Sequence, residues 1–151
     1  MNQTPEFVIG LATTVLLGFT VRSFIKKVVA EPTCPEGLKE EDWKKIIERS
    51  PGGVWIGIFE RIISLVSFWT AQYTILGAWL AFKVAAKWEV WKNIIQVPNN
   101  LEGVHPLKWY QARNAIGSWM LARFLIGTLI NVIIGALGAY VGHLIKSLYC
   151  K

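Results

Sequence analysis

Two cysteines and two histidines occur in 151 residues. Cys34 and Cys150 cannot build a disulfide framework, and no CxxC or Cys/His spacing supplies a metal centre. His105 and His143 lie far apart, and neither has an acidic neighbour in sequence. That argues against haem and metal chemistry. Walker, HExxH, GxSxG and dinucleotide motifs are all missing. The chain is therefore read as non-enzymatic, with no cofactor, no metal and no catalytic residues. No internal repeat is visible, which argues against a solitary transporter.

Charge is also scarce. Charged residues make up 17% of the chain against 53% apolar, and the mean hydropathy is +0.39. A folded chain of this kind has too little polar surface to stay in water. The net charge of +6 could suggest nucleic acid. However, Lys and Arg flank apolar runs, where they act as topology signals and headgroup contacts. No nucleic-acid partner is expected.

What is present is apolar length. Ile62 to Phe82 is 21 residues without a charge, bounded by Glu60-Arg61 and Lys83. About 20 apolar residues in a helix cross the roughly 30 Å hydrocarbon core of a bilayer. Phe7 to Val21 is a shorter uncharged run of 15 residues, followed by Arg22, Lys26 and Lys27. Basic stems at that end can snorkel, so a span over 6–29 is adequate. Charge after the run instead of before it disfavours a signal peptide. Phe124 to Gly142 is a third run of 19 uncharged residues. The chain thus reads as all-α: one helical membrane domain with three transmembrane helices over about 6–29, 55–83 and 123–145. Segments 38–49, 84–96 and 107–122 read as short amphipathic helices at the interface, and 107–122 could instead begin the last span.

Small residues line these spans. Ser64, Ser67, Ala71, Thr74, Ala78, Ala81 and Ala85 follow a 3-4 spacing that puts them on one helix face, with Glu60 in phase. Gly10, Thr14 and Gly18 form a second stripe. Gly127, Asn131, Gly135 and Ala139 form a third, beside the GxxxG pair Gly138 and Gly142. In lipid, close backbone approach at small residues drives helix association. Glu60, Arg61 and Arg123 are the candidate polar site, because ionisable groups in a span need partners and often carry function. An interface lock is the plainer reading of Glu60-Arg61, and a proton or cation site the sharper one.

Three functions compete. The first is a membrane subunit that self-associates or scaffolds a larger complex through the small-residue faces. The second is a small oligomeric channel with Glu60 and the Ser/Thr seam lining a pore. The third is a lipid-modifying enzyme using Glu60, Arg61, Arg123 and Asn131. The expected partners are the bilayer and either copies of the chain or other membrane subunits. Seven Lys/Arg in 22–53 and two in the tail, against five in 83–113, predict an N-terminus outside and a C-terminus in the cytoplasm. Cys34 and Cys150 then share the cytoplasmic side as free thiols.

The stretch Gly52-Gly53-Val54-Trp55-Ile56-Gly57-Ile58-Phe59-Glu60-Arg61, with Gly77 to Lys83 after it, resembles small, functionally unassigned bacterial inner-membrane proteins. These carry a GGxWIGxxER pattern leading into their second span. The resemblance covers about a third of the chain. It implies a bacterial inner-membrane location and attaches no activity.

Overall fold

The computed structural model describes residues 4–31, 33–34, 40–41, 44, 52–94 and 106–149. Among these there are no strands. Four long helices carry the fold: α1 (Thr4–Val28), α2 (Gly52–Trp69), α3 (Tyr73–Ile94) and α4 (Pro106–Tyr149). Pro5 and Glu6 open α1, while Lys26 and Lys27 close it, in keeping with the helix dipole. Two helices, over Pro5–Val28 and Arg113–Leu148, are long and apolar enough to cross a membrane. The sequence predicts three.

The difference lies in the second span. The expected continuous helix over 55–83 is two helices, turned back at Thr70, Ala71 and Gln72. Ala71 takes φ 55°, the left-handed conformation that usually ends a helix at glycine. The Gln72 N–H bonds the Ser67 carbonyl at 2.9 Å, closing a six-residue Schellman loop. No Gly or Pro marks this turn, so periodicity ran straight through it. By contrast, residues 107–122 are continuous with the helix that holds the last candidate span, Arg113–Leu148. They belong to the 44-residue α4, roughly 66 Å long, and are not a separate interfacial helix. The amphipathic segment expected over 84–96 continues α3 as far as Ile94. Of the segment over 38–49, Glu40, Glu41 and Lys44 are described and helical. Glu40 pairs with Lys44 at 3.0 Å in the open. The rest of that segment, His105 and Cys150 lie outside the described residues.

Helices α1, α2 and α4 pack on one another through the small residues, and α3 lies beside them. An ideal Cβ on Gly10 would sit 2.7 Å from the Gly138 carbonyl oxygen, and one on Gly135 would sit 2.8 Å from the Leu65 nitrogen. Both distances are too short for any side chain, so glycine is what lets these backbones meet. At one pole Phe7, Trp69 and His143 form a ring cluster, with Trp69 stacked on His143 at 4.3 Å. At the other, Ile25 faces Gly127, and Arg123 pairs with Glu31 at 3.7 Å.

The start of α1, the α2–α3 turn and the end of α4 therefore share one pole. An N-terminus outside with a C-terminus in the cytoplasm finds no support in this arrangement. The extra turn adds one more passage along the bundle and returns the chain to the pole where it began.

Polar side chains share the core with Leu65, Trp119 and Ile134, and large apolar side chains cover much of the described surface. Thr14, Glu60, Ser64, Ser67 and Asn131 are buried, while Leu16 is 68% and Phe19 76% exposed. Leu125, Leu129, Ile133, Leu137, Tyr140, Leu144 and Leu148 form an exposed row along α4. Hydroxyls on outward positions bond their own helix, as Thr13 does to the Ile9 carbonyl and Thr70 to Val66.

Candidate functional site

A charged network crosses the middle of the bundle. Glu60 on α2 is 2% exposed, a costly place for a carboxylate unless its oxygens are satisfied. Both are. Oε1 accepts from the Lys83 ammonium on α3, and Oε2 accepts from Asn131 Nδ2 on α4 at 2.8 Å. The hairpin turn is what brings Glu60 and Lys83 together. They lie 23 residues apart, on either side of Ala71.

The same Lys83 ammonium donates to Thr128 Oγ1. The Thr128 hydroxyl is 2.8 Å from the Phe124 carbonyl and 3.4 Å from Glu60 Oε1, so its one proton goes to Phe124. Its oxygen is then free to accept from Lys83. The Phe124 ring lies 4.5 Å from the ammonium, a cation–π contact. Arg61 extends the network toward α1. Its Nη1 donates to Asn131 Oδ1 at 3.5 Å and to the Gly18 carbonyl at 3.2 Å. Gly18 leaves the room for this: a Cβ there would meet the guanidinium at 2.6 Å.

Asn131 is the joint of this arrangement. Its amide donates to the carboxylate and accepts from the guanidinium, so one neutral side chain orients both charges. It lies 12 residues from His143 and eight from Arg123, roughly 18 Å and 12 Å along α4. Asn131 thus lies inside a stretch of about 30 Å of α4 bounded by Arg123 and His143.

The other predicted residues divide sharply. Ser64 and Ser67 are buried in the core, their hydroxyls without a bonded partner among the described residues. Gly135, Gly138 and Gly142 are buried, Gly127 is half-buried, and all four face α1 or α2. Ala71, Thr74, Ala78, Ala81 and Ala85 are exposed, so the single seam predicted over 64–85 exists only as two unlike halves. Arg123 stays apart from Glu60 and Arg61. It lies over the Trp119 ring at 4.5 Å and pairs with Glu31.

Lys83 and Thr128 are functional candidates that sequence reasoning missed. Lys83 reads as the charge that closes a span, and only the hairpin turns it inward. Thr128 is one hydroxyl in an apolar run, one helical turn before Asn131 and on its face. That spacing was the available signal.

Beside the network a groove of about 310 Å³ opens between α3 and α4. Leu80 and Val84 form one wall, Leu125, Leu129 and Val132 the other, and Lys83 and Thr128 lie among them. No metal-holding group of His, Cys, Asp or Glu occurs among the described residues. No protein family, curated protein or solved structure matches the chain.

Proposed function

We propose that this protein is a non-enzymatic, multi-pass membrane subunit that self-associates through the exposed small-residue face of α3. The observation that supports this is a contrast in use. Gly10, Gly18, Gly135, Gly138 and Gly142 on α1 and α4 are used in close contacts within the chain, whereas Ala78, Ala81 and Ala85 on α3 are exposed. A small face turned toward lipid gains little there and gains much against a second helix. The exposed apolar surface of the bundle supports a bilayer as its surroundings, since such a surface would associate in water.

Association is tested by the mass of the purified protein in detergent. Wild type is an oligomer, and the Ala78→Leu/Ala81→Leu variant is a monomer with unchanged helicity. A monomeric wild type defeats the reading. Ser64 and Ser67 line no lumen in the protomer, because Gly135 packs directly on Ser64.

Charge supports an orientation. Of sixteen Lys and Arg, only Lys146 and Lys151 follow residue 124, toward the pole of the chain ends. Arg61 and Lys83 are in the network. The remaining twelve belong to 22–53 and 87–123, stretches that include the end of α1 and the start of α4 at the opposite pole. Under the positive-inside rule both termini then face outward, in a membrane of bacterial inner-membrane type. Cys34 and Cys150 fall on opposite sides. An impermeant maleimide applied to intact cells or spheroplasts should label Cys150 in the Cys34→Ser variant and leave Cys34 unlabelled in Cys150→Ser. Equal labelling of both would discard this orientation.

A further inference from the structure

At the pole where α1 ends, two buried nitrogens lack an acceptor. Arg123 Nη1 and Trp119 Nε1 are covered and donate to nothing. The Arg123 side chain is 12% exposed and Trp119 is 8% exposed. The guanidinium carbon lies 4.5 Å from the centre of the Trp119 ring, so the two form one unit. Folded proteins seldom leave a buried N–H unbonded, because its bond to water has been given up without replacement. Glu31 does not fill the need. Its oxygen is 3.7 Å from Nη1, beyond hydrogen-bond length, and its side chain is 59% exposed. A loose pair of that kind contributes little.

Position narrows the chemistry of the missing acceptor. The 19 uncharged residues from Phe124 to Gly142 begin directly after Arg123, and Trp119 lies one turn further out. In a bilayer that boundary is where lipid phosphates sit and where Trp is enriched. The contact of Ile25 with Gly127 sets the end of α1 beside this stretch of α4. That end carries Lys26 and Lys27, both exposed.

We infer that Arg123 and Trp119 hold the phosphodiester of an anionic phospholipid, which displaces the Glu31 carboxylate from the guanidinium. Phosphate oxygens match the guanidinium fork and accept two parallel bonds from it, and the indole N–H supplies a third donor. Lys26 and Lys27 favour a headgroup of net negative charge. Phe24 and Val28, each 52% exposed and one turn apart on α1, offer an apolar ridge to its acyl chains. This inference rests on the membrane placement proposed above and not on self-association.

The test titrates the full chain in detergent with phosphatidylglycerol, phosphatidylcholine or inorganic phosphate and counts retained molecules by native mass spectrometry. Wild type is expected to hold one phosphatidylglycerol about ten-fold more tightly than phosphatidylcholine. Arg123→Gln should erase that difference. Arg123→Lys should recover part of it, because an ammonium offers charge without the fork. Trp119→Phe keeps the ring, removes the donor and should weaken retention about three-fold. Glu31→Gln removes the competing carboxylate and should tighten it by about the same factor, a gain that a purely structural Arg123 would not give.

Equal retention of the two lipids by wild type overturns the proposal, as does a preference that survives Arg123→Gln. Should Arg123→Gln fail to fold, Glu31→Gln decides, and unchanged or weaker retention in that variant overturns the proposal. Inorganic phosphate that displaces phosphatidylglycerol at equal concentration would transfer the site to a soluble anion and overturn it too. Failure of wild type to float with phosphatidylcholine vesicles would instead strike the membrane placement itself.

Discussion

Helices α2 and α3 come from what reads as one apolar stretch with one row of small residues, yet they do opposite things with that row. On α2, Ser64 and Ser67 are buried against α4, where Gly135 lets the backbones meet. On α3, Ala78, Ala81 and Ala85 look outward. A small residue is thus only a permission for close approach. Whether it is used depends on a complementary small residue across the contact, and α4 supplies Gly135 and Gly138 to α2 and α1. On α3 a different kind of contact joins the apolar ones of Leu76 and Tyr73, the pairing of Lys83 with Glu60 and Thr128. Core helices meet by backbone proximity, and the flanking helix adds a charged contact beside its buried Leu76.

The comparison can be broken most severely at Glu60. Glu60→Leu leaves Lys83 and Arg61 without their carboxylate, and removing one member of a buried ionic network costs about 3–5 kcal/mol. Denaturant titration in detergent should show that loss. It should also show α3 released, as faster proteolysis between residues 73 and 94. A loss below about 1 kcal/mol would mean that the charges are solvated and the network is incidental.

Next comes the glycine contact. Gly138→Val forces a side chain against the Gly10 carbonyl, 2.7 Å from its Cβ, and against Thr14. Overpacking of this kind costs about 1–3 kcal/mol or more, because backbone must move. The mirror experiment on α3 sharpens the contrast. Ala78→Leu should change stability in monomeric detergent conditions by less than about 0.5 kcal/mol, since its side chain is exposed. Similar losses for both variants would erase the distinction between the two halves of the row.

The smallest effect is expected at the turn that separates them. Ala71 holds φ 55°, a conformation that costs a residue with a Cβ about 1–2 kcal/mol. Glycine relieves this but loosens the unfolded chain. Ala71→Gly should therefore raise the thermal midpoint slightly, with a gain of up to about 1 kcal/mol. No gain would indicate that the strain is already relieved by the surrounding Thr70 and Gln72 hydrogen bonds.

Much of the candidate site was legible before folding was considered. Glu60, Arg61 and Asn131 stand out as polar groups in apolar runs, and the glycine stripes announce close packing. The pairing partner of Glu60 was not legible. Lys83 sits where any span would place a terminal cation, and nothing local distinguishes it. Arg123 looked equivalent to Arg61 but lies two helical turns from Asn131, beside Glu31 and Trp119. The shared pole of the helix ends was hidden for the same reason. One unseen turn changes the parity of the passages and moves the chain's end to the other pole.

Composition and pattern alone establish helices, an apolar surface and close contacts at small residues, because these follow from side-chain size, polarity and a 3.6-residue period. They also nominate the polar groups that need partners. Which helix each face meets follows from the reversal at Ala71, a backbone state that an alanine seldom takes and that no side chain advertises. Long-range pairing of Glu60 with Lys83, the shared pole of the two chain ends and the groove between α3 and α4 all depend on that reversal. They become visible only once the helices are set side by side.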